Sequence, residues 1–258
     1  MYSEKLQYLK LNYRKPQLTE LVDKLAVREF VRKAVGSKYL IPLLGTWTTF
    51  DDIPFDQLPH VFVIKCNHDS GGYYICDDKT NFNRQEARTK INEHLSRNYY
   101  WGAREWPYKN VKPCVMVEQF ISNGGDDGKR TLTDYKFYSF DGVVHTVMVC
   151  TERETGSPKV YFYSQDWQLL RINVMGVEAS QDFTMTKPLC LDEMFMVASK
   201  LSVGLPFVRV DFYAVDGSVY FGEMTLLPMA GFSSHLLEET DELFGSMIDI
   251  DKYCKYTN

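Results

Sequence analysis

Phe207-Val208-Arg209-Val210-Asp211-Phe212-Tyr213-Ala214-Val215-Asp216-Gly217-Ser218-Val219-Tyr220-Phe221-Gly222-Glu223-Met224-Thr225 is the stretch on which the fold turns. Two β-prone apolar runs flank Asp216-Gly217, and both turn residues tolerate positive φ, so the segment predicts a β-hairpin. Side chains alternate along a strand, which puts Arg209, Asp211 and Tyr213 on one face and Val208, Val210 and Phe212 on the other. On the return strand Val219, Phe221, Glu223 and Thr225 share a face. A two-residue turn would set Glu223 opposite Val210 and separate the two acids. A three-residue loop, Val215-Asp216-Gly217 with Gly217 left-handed, would pair Arg209 with Glu223 and place Asp211 diagonally beside it. The expectation is the three-residue loop.

Two carboxylates and an arginine gathered on an apolar sheet need a reason, because like charges brought together there are costly. A divalent cation supplies one, and oxygen ligands of this charge suit Mg²⁺ carrying phosphates. An exposed face with an ordinary Arg–Glu cross-strand pair fits the same spacing.

Outward from the hairpin, helix and strand signals alternate. Tyr135–Phe140 and Val143–Cys150 flank Asp141-Gly142, a second hairpin signal. Leu191, Met194, Phe195, Ala198 and Leu201 recur at helical spacing, and Gly204 closes that helix. Val22, Leu25, Ala26, Phe30 and Ala34 predict another helix from Glu20 to Val35, with Asp23-Lys24 near its head and Gly36 as its stop. Val61–Ile64 reads as a buried strand that ends on Lys65 and feeds Asn67-His68-Asp69-Ser70-Gly71-Gly72. A lysine on a buried strand needs an anionic partner. The glycine-bearing loop could bring N–H groups up to phosphates, or it could be a plain turn with His68 as a loop hydrogen-bonder. Val115-Met116-Val117 begins a strand carrying Glu118, an acid placed to accept from a ribose or to cap a strand edge. Mixed elements with antiparallel hairpins predict an α+β architecture, with a lobe boundary near Cys114.

The chain's 258 residues suffice for one large domain or two lobes, and 45% hydrophobic with 24% charged residues excludes a disordered or collagen-like chain. No apolar run reaches the roughly 18 residues of a membrane span, and Met1–Pro16 lacks the apolar block of a secretory signal. That basic N-terminal stretch reads as a solvated helix face or as a contact for an anionic membrane surface. A net charge of −5 disfavours general nucleic-acid binding. Six widely spaced cysteines without a C-x-x-C fit neither a zinc site nor a disulfide framework, so reduced thiols in a cytoplasmic protein are expected.

The order of parts is more specific than any one of them. Asp23-Lys24 is followed by Val27-Arg28-Glu29-Phe30-Val31, then Phe62-Val63-Ile64-Lys65, then Glu105-Trp106-x-Tyr108-Lys109. Asp134-Tyr135-Lys136-Phe137, Asp211-Phe212-Tyr213 and Phe221-Gly222-Glu223-Met224-Thr225-Leu226-Leu227-Pro228 complete the series. This series resembles the ATP-grasp superfamily, and within it the teichuronopeptide-biosynthesis (TupA-like) branch, over about residues 20–235. The resemblance implies an ATP-grasp fold of two α+β lobes with ATP between them. Residues 1–22 would be an N-terminal extension, 23–114 the N-terminal lobe with an insertion at 79–112, and 115–258 the C-terminal lobe with the metal site. By the same resemblance Lys24, Lys65 and the loop with Ser70, Gly71 and Gly72 would contact nucleotide phosphates. Glu118 would sit at the adenine and ribose end, Lys136 would belong to the nucleotide-binding set, and Asp211, Glu223 and Thr225 would hold magnesium. Arg209 and Lys65 would be the catalytic cations.

Two departures stand out. The superfamily commonly has an asparagine where Thr225 stands, and a hydroxyl is a poorer metal ligand than an amide oxygen. Only 22 residues precede Asp23, so no separate N-terminal substrate domain is expected and the acceptor must be held elsewhere. The 79–112 insertion is the candidate: eight basic residues against three acids make it +5 in a chain of −5, with Tyr99, Tyr100, Trp101, Trp106 and Tyr108 among them. Aromatic faces beside cations suit an anionic sugar acid; an amphipathic helix with its aromatics in the core is the other reading. The resemblance implies an ATP- and Mg²⁺-dependent carboxylate–amine ligase. It would join an amino acid to a uronic-acid carboxylate of a capsular or cell-wall glycan, whether sugar nucleotide, lipid-linked unit or polymer. A small-molecule kinase and a non-catalytic glycan- or nucleotide-binding module remain as alternatives.

Overall fold

The computed structural model describes residues 1–123, 132–152, 156–232 and 235–254. The chain divides into two compact units. One comprises residues 15–33 and 40–121, the other 1–14, 34–39 and 122–258.

The first unit is built on a four-stranded antiparallel sheet, in the order β1 (Leu43–Trp47), β4 (Val115–Gln119), β2 (Phe62–Cys66), β3 (Tyr73–Cys76). Phe62, Ile64, Cys66, Val115 and Val117 point to one face and meet Ala87 and Ile91 of α4 (Arg84–Leu95) in a fully buried core. The 3.6-residue period of α4 puts Ala87 and Ile91 four apart on one stripe, which is why it can cover the sheet. Val63, Lys65, Met116 and Glu118 lie on the opposite face.

The expected helix over Glu20–Val35 is broken. It is α2 (Gln17–Val22) followed by α3 (Val27–Ala34). Asp23 supplies the reason: its carboxylate accepts from the backbone N–H of Leu25 at 2.9 Å, and its carbonyl accepts from Val27 N–H at 2.9 Å. A short acid that satisfies the first donors of a new helix starts that helix. Gly36 follows at φ +109.

The second unit holds a six-stranded antiparallel sheet in the order β10 (Ser218–Thr225), β9 (Val208–Val215), β5 (Asp134–Phe140), β6 (Val143–Thr151), β7 (Lys159–Tyr163), β8 (Leu169–Leu170). Asp141 and Gly142 both have positive φ, giving the expected β5–β6 hairpin. Helix α7 (Leu191–Ser202) packs on the face carrying Phe137 and Phe212, with Phe195 edge-on to Phe137 at 4.9 Å. On the other face α1 (Tyr2–Asn12) and α8 (Glu238–Ser246) bring Tyr2 and Phe244 against Phe140; Phe244 also meets Tyr138.

Two expectations change here. Strand β4 is an interior member of the four-stranded sheet, so the division falls after Ile121 rather than at Cys114. The N-terminal stretch is not a free basic face. Tyr2 and Leu6 are fully buried, Lys5 donates to the Ile248 carbonyl at 2.7 Å, and Lys10 donates to the Ala230 carbonyl at 3.0 Å. Both corrections are non-local: strand neighbours and the resting place of a terminal helix are set by tertiary packing, not by local pattern.

Candidate active site

The β9–β10 hairpin turns through two residues, with Asp216 at φ +49 and Gly217 at +76. Val215 pairs with Ser218 and Phe212 with Phe221, which corrects the expected three-residue loop. Two consecutive positive-φ residues match the right-handed twist of the strands, so the short turn wins. The acids still meet, by another device. The register slips by one between Phe221 and Glu223, leaving Gly222 as the extra residue of a β-bulge, and Glu223 then pairs directly with Asp211 and Thr225 with Arg209. One added residue on one strand moves every later side chain to the other face. Glycine suits the position, because a Cβ there would lie 3.1 Å from the Asp211 carbonyl oxygen.

On the neighbouring side Lys136 of β5 pairs with Asp211, and Tyr138 with Arg209. Two rows therefore cross three strands: Lys136–Asp211–Glu223 and Tyr138–Arg209–Thr225. Arg209 donates from Nε and Nη2 to the two Asp211 oxygens, each at 2.7 Å, a bidentate fork. Its Nη2 also reaches Thr225 Oγ1 at 3.0 Å and Glu223 Oε1 at 3.4 Å, while Thr225 donates to Glu223 at 2.9 Å. Lys136 Nζ lies 2.5 Å from Asp211 Oδ2 and 3.4 Å from Asp134 Oδ1. The Asp211 side chain is 5% exposed and that of Glu223 is 38%, so the row opens to solvent at the edge strand. Burial disfavours the charge on Arg209, but Asp211 outweighs it and holds the guanidinium firmly protonated. Burial lifts the Tyr138 hydroxyl to about 12, so this residue stays neutral.

These groups fit a divalent cation. Asp211 and Glu223 stand side by side on paired strands, and a magnesium ion takes one or two carboxylates while phosphates and water complete its shell. Among the described residues no cluster of three or more His, Cys, Asp or Glu forms a ready-made metal cage. Thr225 stands beside the two acids. Its hydroxyl links Arg209 to Glu223 and fixes both.

The remaining expected residues lie in the four-stranded unit. Lys65 and Glu118, assigned to different ends of a nucleotide, form an ion pair at 2.7 Å. Glu118 also accepts from Arg28 at 2.8 Å, and Arg28 reaches the Ile41 carbonyl at 2.8 Å. Arg28 is a residue that sequence reasoning quoted within a motif but gave no part. Nothing local marks it, since α3 carries Arg32 and Lys33 as well. Lys24 Nζ donates to the Asp69 carbonyl. Asn67 is buried and tied to Asp23, Lys112 and Cys114, whereas Ser70 and Gly71 are exposed.

Ala87 and Ile91 serve the core, but Trp101 is 60% exposed with the Arg104 guanidinium 4.6 Å from its ring centre. Lys109 lies 5.5 Å from the centre of Tyr100, and Tyr99 meets Tyr108 edge-on at 4.8 Å.

A family profile described as TupA-like ATPgrasp matches residues 4–249. The chain belongs to the TupA-like ATP-grasp family. As a TupA-like ATP-grasp protein it is an ATP-dependent ligase. Its fold resembles that of D-alanine–D-alanine ligase from Bacillus anthracis complexed with ATP, at 17% identity and TM-score 0.51, covering 94% of this chain and 67% of that one. A second structure of that ligase gives 16% identity and TM-score 0.50, with 94% and 69% covered. The ATP-grasp ligase PsnB complexed with minimal precursor is similar at 13% identity and TM-score 0.47, over 91% of this chain and 62% of that one. No curated protein sequence matches the chain. No helix among the described residues of this ATP-grasp protein is long and apolar enough to cross a membrane. None of its six cysteines forms a disulfide among the described residues.

Proposed function

We propose that this ATP-grasp ligase uses MgATP to join the amine of an amino acid to the carboxylate of a uronic-acid unit in a capsular or cell-wall glycan. The observation that carries the reading is the Lys136–Asp211–Glu223 row with Arg209 forked onto it. Phosphoryl transfer asks a protein for positioning and charge neutralisation rather than covalent chemistry. That row supplies both.

Magnesium, held by Asp211 and Glu223, would neutralise charge on the triphosphate. Arg209 and Lys136, both anchored to Asp211, present fixed positive charge to the phosphoryl group. Lys24, Lys65 and the Ser70–Gly72 loop serve the phosphates, and Glu118 the ribose end. A substrate carboxylate oxygen attacks the γ-phosphorus and ADP departs, leaving an acyl phosphate. The amine nitrogen then attacks the acyl carbon, loses a proton and expels inorganic phosphate. The exposed Trp101, Arg104 and Lys109, with half-buried Tyr100 beside them, support an anionic sugar as acceptor, since stacking surface and cations stand together there.

The test mixes protein, MgATP, a uronate glycoside and amino acids, and follows ADP release and product mass. The expected product is heavier than the glycoside by one amino-acid residue. A product carrying phosphate instead would make the chain a kinase, and ADP release needing neither carboxylate nor amine would sink the ligase assignment of substrates.

A further inference from the structure

The loop after β2 is held by contacts that phosphate binding alone leaves unexplained. His68 and Asp69 are 2% and 3% exposed. His68 Nε2 lies 3.2 Å from the His94 carbonyl oxygen and 3.0 Å from that of Arg97. Both partners are acceptors, so Nε2 carries the proton and closes the C-terminal end of α4, where carbonyls lack helical partners. In return the His94 side chain, in the last turn of α4, donates from Nδ1 to Asp69 Oδ2. Adjacent loop residues and one helix end thus grip each other twice.

Asp69 is the centre of this lock. Its carbonyl accepts from Lys24. Its Oδ1 is buried and accepts from nothing among the described residues. A Cβ on Gly72 would lie 2.5 Å from that oxygen, and one on Gly71, at φ +85, would lie 3.8 Å from His94 Cε1. The two glycines let the loop fold down over the carboxylate and ring. A buried carboxylate oxygen without a donor is costly, and a loop selected for stability alone would have satisfied it.

We infer that Asp69 and His94 are positioning residues for the nucleotide. They clamp Ser70–Gly72 to the end of α4 so that the loop's N–H groups are pre-set for phosphate oxygens. This rests on the loop's role in the ligase reading above. Pre-setting a loop lowers the ordering cost of binding, and a small misplacement of it costs roughly ten- to a hundredfold.

The experiment measures MgATP binding by calorimetry, and KM and kcat from ADP release, on the whole chain. His94→Ala should raise Kd and KM for MgATP roughly tenfold or more with kcat at saturation little changed, because a pre-set loop acts on binding. His94→Asn keeps an N–H donor near the Nδ1 position and should restore most of the loss. Gly72→Ala, which presses on the Asp69 carboxylate from the loop side, should mimic His94→Ala and decides the matter if that variant fails to fold. Unchanged Kd and KM in His94→Ala or Gly72→Ala overturn the inference, as does equal damage in His94→Asn and His94→Ala. A wild-type chain that binds no MgATP would bring down the nucleotide reading itself and this inference with it.

Discussion

Glu118 stands between two cations, Arg28 at 2.8 Å and Lys65 at 2.7 Å, and its side chain is only 8% exposed. Removing the acid leaves two largely buried positive charges facing each other. Glu118→Ala is therefore expected to cost about 3 kcal/mol in a denaturant titration, and an unchanged midpoint would show that the network carries no weight. Asp211 has the same standing for Arg209 and Lys136, but its loss should show in ligand dependence. Asp211→Asn keeps the shape and removes the charge, so magnesium-dependent ADP release is expected to fall roughly a hundredfold or more. Full activity in that variant would refute the metal assignment. At this scale the sequence displayed the reactive residue types but not their partners. Lys65 called for an anion, yet nothing local marks Glu118 as that anion or Arg28 as its second cation, since the three come together only through sheet register and helix packing.

The hairpin shows how an element can be read correctly in kind and wrongly in detail. Asp216-Gly217 announced a turn, and the alternation of Arg209 and Asp211 announced a polar face. The shared side of Asp211 and Glu223 was expected from a longer loop and is instead produced by Gly222 as a bulge. A bulge answers to the strand beside it, here the Asp211 backbone, and leaves only a glycine as its mark in the sequence. A branched side chain does not fit there. Gly222→Ala is expected to cost about 1–3 kcal/mol and to weaken magnesium-dependent activity, with Gly222→Val costing at least as much. Wild-type stability and activity in Gly222→Ala would argue that position 222 has room the geometry denies. The break between α2 and α3 teaches the same lesson. Apolar spacing ran straight through Asp23, and its capping bonds ended one helix and began the next.

For the whole molecule, stability should respond to ligand and to pH. A ligand that binds only the folded chain stabilises it, by about 2.7 kcal/mol at a hundred times Kd, so MgATP should raise the melting temperature and ATP with chelator should raise it less. His145 and His235 are both pushed below the ordinary histidine value by burial, His235 further by Arg209. Below pH of about 6.5 the unfolded chain takes up protons that these folded histidines refuse. Stability is thus level above that point on their account and falls as pH drops toward 5. Melting temperature against pH checks this, and His145→Gln with His235→Gln should flatten the slope.

The sequence by itself determined the local vocabulary: two Asp-Gly hairpins, amphipathic helices ended by glycine, and an ordered set of cations and acids that matches one family. Turn chemistry, side-chain period and residue type act over a few positions, so they can be read without a structure. Only the tertiary structure decided that Val115–Gln119 belongs with the four-stranded sheet, that the first helix is packed rather than free, and that Glu223 faces Asp211 by way of one extra glycine. Each of those depends on which backbone lies alongside, and that is settled by burial across long sequence separations rather than by any local pattern.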